Sequence, residues 1–139
     1  MNTTRARVGL VVWTLLGFSA CGSDPAGPTG PGQLKVALRT LFGRDDAAAF
    51  VELTGPGINA VTAIDGELFS SRSGNTVRIV VLPNEPGVIE FLVDVDDRSI
   101  PPDARLMEVA GGDNRLRSNA GYWFAIQPLD AMVGSRTQR

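Results

Sequence analysis

The chain has no histidine, a single cysteine, a single tyrosine and, at Lys35, a single lysine in 139 residues. Without histidine there is no imidazole to act as a general base, so the usual serine and cysteine triads are excluded. With only Cys21, no internal disulfide can form, and the folded part must hold together by packing alone. One lysine and no basic cluster leave no electrostatic footprint for nucleic acid. No apolar run approaches the roughly 20 residues that a helix needs to cross a bilayer. Between Gln33 and Gln127 no helical repeat is present, which argues against a parallel sheet with helical crossovers.

What is there begins with an address. Arg5 and Arg7 precede an apolar core from Val8 to Leu16, and small residues follow, the three parts of an export signal. Ser19, Ala20 and Cys21 then resemble the lipobox of bacterial lipoproteins, with Phe18 where that motif usually has leucine. The resemblance implies that residues 1–20 are a cleaved signal peptide and that Cys21 becomes the lipidated first residue. Its thiol would carry a diacylglycerol and its amine a further acyl chain. Acyl burial contributes about 0.8 kcal/mol per methylene, so two or three chains hold durably where one does not. Gly22 is not the aspartate associated with inner-membrane retention, so an outer-membrane destination is expected. Loss of residues 1–20 leaves 11 basic against 15 acidic residues, a formal charge of −4.

Residues 21–33 form a Gly/Pro-rich stretch, Gly-Ser-Asp-Pro-Ala-Gly-Pro-Thr-Gly-Pro-Gly from Gly22 to Gly32. It has too few apolar side chains to fold and is expected to be a flexible, disordered spacer.

From residue 34 the apolar pattern has period two. Leu34, Val36 and Leu38 alternate with Lys35 and Arg39; Val77, Ile79 and Val81 share one face; so do Ile89, Phe91, Val93 and Val95. Further strands are expected at Phe50–Leu53, at Ile58–Ile64, from Leu68 to the break at Ser73-Gly74-Asn75, at Leu106–Ala110 and at Tyr122–Gln127, with a polar loop over Gly111–Asn119. Asp45 to Ala49 offers a capped turn of helix as an alternative start to the second strand. Seven to nine short strands between Gly/Pro turns predict an all-β domain, one antiparallel β-sandwich over 34–128, followed by a polar tail over 129–139.

The order of these pieces is similar to cohesin-like modules, sandwich domains related in shape to carbohydrate-binding modules; an immunoglobulin-like sandwich has the same general outline. The similarity rests on Thr54-Gly55-Pro56-Gly57, Phe69-Ser70-Ser71, Gly74 to Val81 and Gly87 to Val93. It implies a non-catalytic binder or scaffold, with a protein or a carbohydrate as partner, and no cofactor.

Three sets of residues carry candidate chemistry. Trp123 or Tyr122, in Tyr122-Trp123-Phe124, must face outward, and an exposed ring there would stack on a sugar or anchor a protein contact. Asp94, Asp96 and Asp97, with Asp103, are candidate calcium ligands, although Arg98 sits among them and no EF-hand spacing follows. The same aspartates resemble the strand-end pair of haloacid-dehalogenase-type phosphatases, but the lysine that chemistry takes from a later strand is missing, since Lys35 precedes them. Glu52, Glu67, Glu90 and Glu108 are the acids available to a small envelope hydrolase, which would need two of them facing across a cleft. A calcium-stabilised structural domain is the remaining alternative.

Overall fold

Alternation decides which side chains turn inward. In β1 (Gly32–Thr40) Leu34, Val36 and Leu38 are buried. In β5 (Thr76–Leu82) Val77, Ile79 and Val81 are buried, and in β6 (Glu90–Val95) Phe91, Val93 and Val95. A strand with this spacing keeps one apolar face only if that face meets a second sheet. The partner sheet is supplied by β2 (Asp46–Thr54), which buries Ala49, Val51 and Leu53. The set is completed by β3 (Ile58–Ala63), β4 (Glu67–Ser73), β7 (Asp103–Gly111) and β8 (Tyr122–Pro128). The computed structural model describes residues 27–42 and 45–129. The signal segment, Cys21, most of the Gly/Pro stretch and the tail from residue 130 lie outside the described residues.

The eight strands form two four-stranded sheets, ordered β3-β6-β1-β8 and β4-β5-β2-β7, and every pairing is antiparallel. There is no helix among the described residues. The domain is therefore the all-β sandwich that the period-two pattern predicts. Only the β4–β5 connection stays within a sheet. It is a two-residue hairpin, Ser73 pairing with Thr76 across Gly74-Asn75, and Gly74 has φ 59°, the positive angle that such a turn takes at its first central residue. Every other connection carries the chain across to the opposite sheet. The core between the sheets includes Phe91, Leu34, Leu53, Ile79 and Ile89, each at most 1% exposed. A side chain buried to this degree stabilises the fold by about 1.5–3 kcal/mol.

Several strand bounds differ from expectation, each for a local reason. The strand β2 begins at Asp46 rather than Phe50, so the helical alternative for Asp45 to Ala49 does not occur. The strand β1 starts at Gly32, where the chain ahead of it is already held: the Gly30 N–H donates to Asp97 Oδ1 (3.1 Å), and the Arg98 N–H donates to the Gly30 carbonyl (2.9 Å). Val88 is exposed and β6 begins two residues later, yet Ile89 is buried as the alternation requires, and its carbonyl accepts the Leu38 N–H. In β7 the register slips between Phe50 and Val51 of the facing strand: Phe50 lies opposite Glu108 and Val51 opposite Leu106. Met107 is thus the extra residue of a β-bulge, and the inward positions run 104, 106, then 109.

The segment expected as a polar loop, Gly111–Asn119, folds back along β7. Arg117 N–H donates to the Val109 carbonyl (2.9 Å), and Ala110 and Leu116 form an isolated bridge. The Asn119 side-chain amide donates to the Leu106 and Met107 carbonyls at 3.1 and 3.0 Å, which satisfies the backbone beside the bulge.

Candidate functional site

The most buried charge among the described residues, Asp46, is 3% exposed and sits at the first position of β2. The Tyr122 hydroxyl, at the first position of β8, donates to Asp46 Oδ1 at 2.8 Å. Arg117 Nη1 lies 3.7 Å from the same oxygen, while Arg117 Nη2 donates to Asp45. Backbone bonds complete the arrangement, Gly87 N–H to the Asp46 carbonyl (2.8 Å) and Gly112 N–H to that of Asp45 (2.7 Å). Burial raises the Tyr122 hydroxyl above its ordinary value, and its bond to the Asp46 carboxylate adds to the rise. Arg117 is likewise raised, first by its bond to Asp45. The cluster joins the two sheets, since β2 belongs to one and β8 to the other. Beside it lies an open depression of about 370 Å³ lined by Phe42, Arg117, Ser118, Ala120 and Tyr122.

Tyr122 and Trp123 therefore do not form one platform. Tyr122, Phe124 and Ile126 pack against the core, and Trp123 points out from the other side of β8, 47% exposed and paired in register with Arg39. Its sheet face carries an ion-pair group: Lys35 Nζ is 2.6 Å from Glu90 Oε2, and Arg39 Nη2 is 3.6 Å from Glu90 Oε1.

The three aspartates of the expected metal site have separate occupations. Asp94 is paired in register with Gln33 and Ala60, within the strands. Asp96 accepts a bond from the Asn59 amide (2.8 Å). Asp97 Oδ1 accepts from the Ser99 hydroxyl (2.7 Å), the Ser99 N–H (2.9 Å) and the Gly30 N–H (3.1 Å). The Ser99 hydroxyl is the main cause that holds the Asp97 carboxyl below its ordinary value. Among the described residues no three acidic or cysteine side chains converge in a way that would hold a metal ion. The acids weighed for hydrolysis are also dispersed: Glu52 pairs with Arg78 at 2.9 Å, Glu90 with Lys35, and Glu67 and Glu108 are exposed.

An apolar surface that the strand pattern alone does not announce lies on the outer face of β4-β5-β2-β7. Phe69 pairs with Val80 and Val80 with Phe50, a row that crosses three strands. Phe69 is 58% exposed, and Leu116, brought beside Ala110 by the folded-back segment, is 70% exposed. Two shallow depressions, of about 280 and 260 Å³, share Phe50 and Val80 as lining; Ala48, Ala110 and Leu116 line the first, Phe69 and Ser71 the second. The signal in the sequence is the unbroken run Ile79-Val80-Val81-Leu82, which places apolar groups on both faces of β5.

No family model matches the chain, and no curated protein or solved structure is significantly similar to it.

Proposed function

We propose that this is a lipid-anchored protein of the bacterial cell envelope, in the outer membrane, whose sandwich binds a partner protein and carries out no catalysis. The anchor rests on the sequence: the basic start, the apolar core and the Ser19-Ala20-Cys21 match, followed by the Gly/Pro spacer. The binding role rests on one observation, the row Phe69–Val80–Phe50 with Leu116 beside it on an open sheet face. Exposed apolar side chains gathered in this way, edged by the Glu52–Arg78 pair and Glu108, have the composition of a protein contact. A sugar is the weaker fit, because the exposed indole, Trp123, stands on the opposite sheet beside Arg39 rather than in a groove with a second ring. A hydrolase would need two carboxylates facing across a cleft, whereas Glu52 and Glu90 are engaged in ion pairs and Asp46 by Tyr122 and Arg117.

The test places a photo-crosslinking amino acid at Phe69, at Leu116 or at Gln127 in the full chain in cells. Discrete protein adducts from positions 69 and 116, absent at 127, support the binding face. Adducts absent from 69 and 116, or equal at all three positions, refute it. A product at twice the mass of the chain is self-association and is scored separately.

A further inference from the structure

The four sheet edges are not alike. At β7 the folded-back segment occupies the outer side through Arg117 N–H to the Val109 carbonyl and Asn119 to the Leu106 and Met107 carbonyls. At β3 a register shift falls between Ile58 and Ala60, and the Arg72 guanidinium donates to the Ile58 carbonyl at 2.5 Å. The strand β8 ends in Pro128, which has no N–H to offer. Bulges, prolines and covering segments are the ordinary ways by which an edge is closed to further pairing.

The remaining edge, β4, has none of them. It pairs with β5 without interruption from Glu67–Leu82 to Ser73–Thr76, and Phe69 to Ser73 are all exposed. Because Ser73 and Thr76 flank a two-residue turn, they are a hydrogen-bonded pair, and so are Ser71 and Phe69 with their partners. The N–H and C=O groups of Leu68, Ser70 and Arg72 consequently point away from β5. No backbone bond from these groups on the outer side is present among the described residues.

The geometry points to a second copy of this chain as the occupant of that edge, β4 pairing antiparallel with β4 about a two-fold axis at Phe69. Such an axis sets Phe69 directly opposite Phe69 of the second copy, in the non-hydrogen-bonded type of pair, where side chains approach most closely. It sets Leu68 opposite Ser70, so their outward backbone groups meet as a hydrogen-bonded pair, and Glu67 opposite Ser71. No like charges face each other, which satisfies the main electrostatic condition for cross-strand pairs. The apolar row Phe50–Val80–Phe69 then continues without a break into its own copy, and the most exposed phenylalanine of that row is covered. A closed two-fold pair occupies the β4 edge of each molecule and leaves that edge no room for a third copy.

The test uses the full chain carrying Cys21→Ser in mild detergent, so that no native thiol is present and the anchor plays no part. Sedimentation is expected to give a dimer mass. Ser70→Pro removes an outward N–H while leaving the bonds to β5 intact, and it is expected to weaken the dimer at least about tenfold with an unchanged far-ultraviolet spectrum. Should that variant not fold, Phe69→Lys, which opposes two like charges across the axis, is expected to give the same loss. The register is read by disulfides: Glu67→Cys mixed with Ser71→Cys cross-links on mild oxidation, and neither does so alone. A monomer at all concentrations overturns the proposal. So do cross-links in the unmixed samples that equal those in the mixture.

Discussion

The Tyr122 hydroxyl donates to an Asp46 carboxylate oxygen 2.8 Å away, and the two residues are 76 positions apart in the chain. This single contact, with Arg117 on the same carboxylate, connects the first residue of β2 to the first residue of β8. Neither partner has meaning without the other, because a carboxylate buried to this extent needs a donor, and the phenol needs an acceptor.

Tyr122 is the sole tyrosine of the chain, so its ionisation is read directly by near-ultraviolet absorbance. The folded protein is expected to titrate above the ordinary value of 10.0, because burial and the Asp46 carboxylate both disfavour the phenolate. Since the folded value exceeds the unfolded one, the stabilisation is complete below the unfolded value and is lost as pH rises through the folded one. Urea midpoints should therefore fall across that alkaline range in the parent chain and fall less in Tyr122→Phe. A midpoint at or below 10.0 in the folded protein would contradict this assignment.

Asp46→Ala strands the Tyr122 hydroxyl and removes the acceptor near Arg117, at an expected cost of about 2 kcal/mol, the range of a hydrogen bond to a charged group. Asp94→Ala, which removes a carboxylate with no such engagement, should stay within about 0.5 kcal/mol of the parent. Chemical denaturation of both variants checks the contrast. Calcium or a chelator should leave the midpoint of either chain unchanged, and a calcium-dependent rise would return the aspartates to a metal role.

Asn119→Ala removes the amide that serves the Leu106 and Met107 carbonyls beside the bulge. The expected loss is about 1 kcal/mol, with faster amide exchange concentrated in β7 and the segment after it. Uniform exchange across both sheets would show that the bulge does not depend on this side chain.

Cys21→Ser is expected to move the protein from the membrane fraction to the soluble one, and mass spectrometry of the parent chain should find acyl groups on Cys21. Retention of the serine variant on washed membranes would reject the lipid anchor.

Much of the fold was legible because burial is one-sided. Where one face is apolar, as at Leu34, Val36 and Leu38 or Ile89 to Val95, alternation gives strand, register and core together. The start of β2 was not legible, since Asp45 and Asp46 before a run of alanines look locally like a helix cap; the partners that make them a strand end, Arg117 and Tyr122, are supplied by a distant part of the chain. The length of β7 was obscured by Met107, whose bulge shifts the inward parity midway. Of the candidate sites, the shared face of Tyr122, Phe124 and Ile126 left two orientations of β8 open, and packing against the core turns Trp123 outward. The Phe69–Val80–Phe50 row was not legible, because the alternation in β5 marks only the core side of Val77, Ile79 and Val81, and the segments that carry Phe69 and Phe50 show no alternation that places them beside Val80.

The strand that opens the domain, β1, is an inner one, flanked by β6 and β8, and the residues just ahead of it are clasped by Asp97 and Arg98. Any pull exerted on the chain ahead of Gly30 would meet that clasp first. Behind it, the hydrogen bonds on both sides of β1 run across the direction of the force and would be loaded together in shear, not opened one by one. A body fastened in this manner resists being unravelled from its leading end.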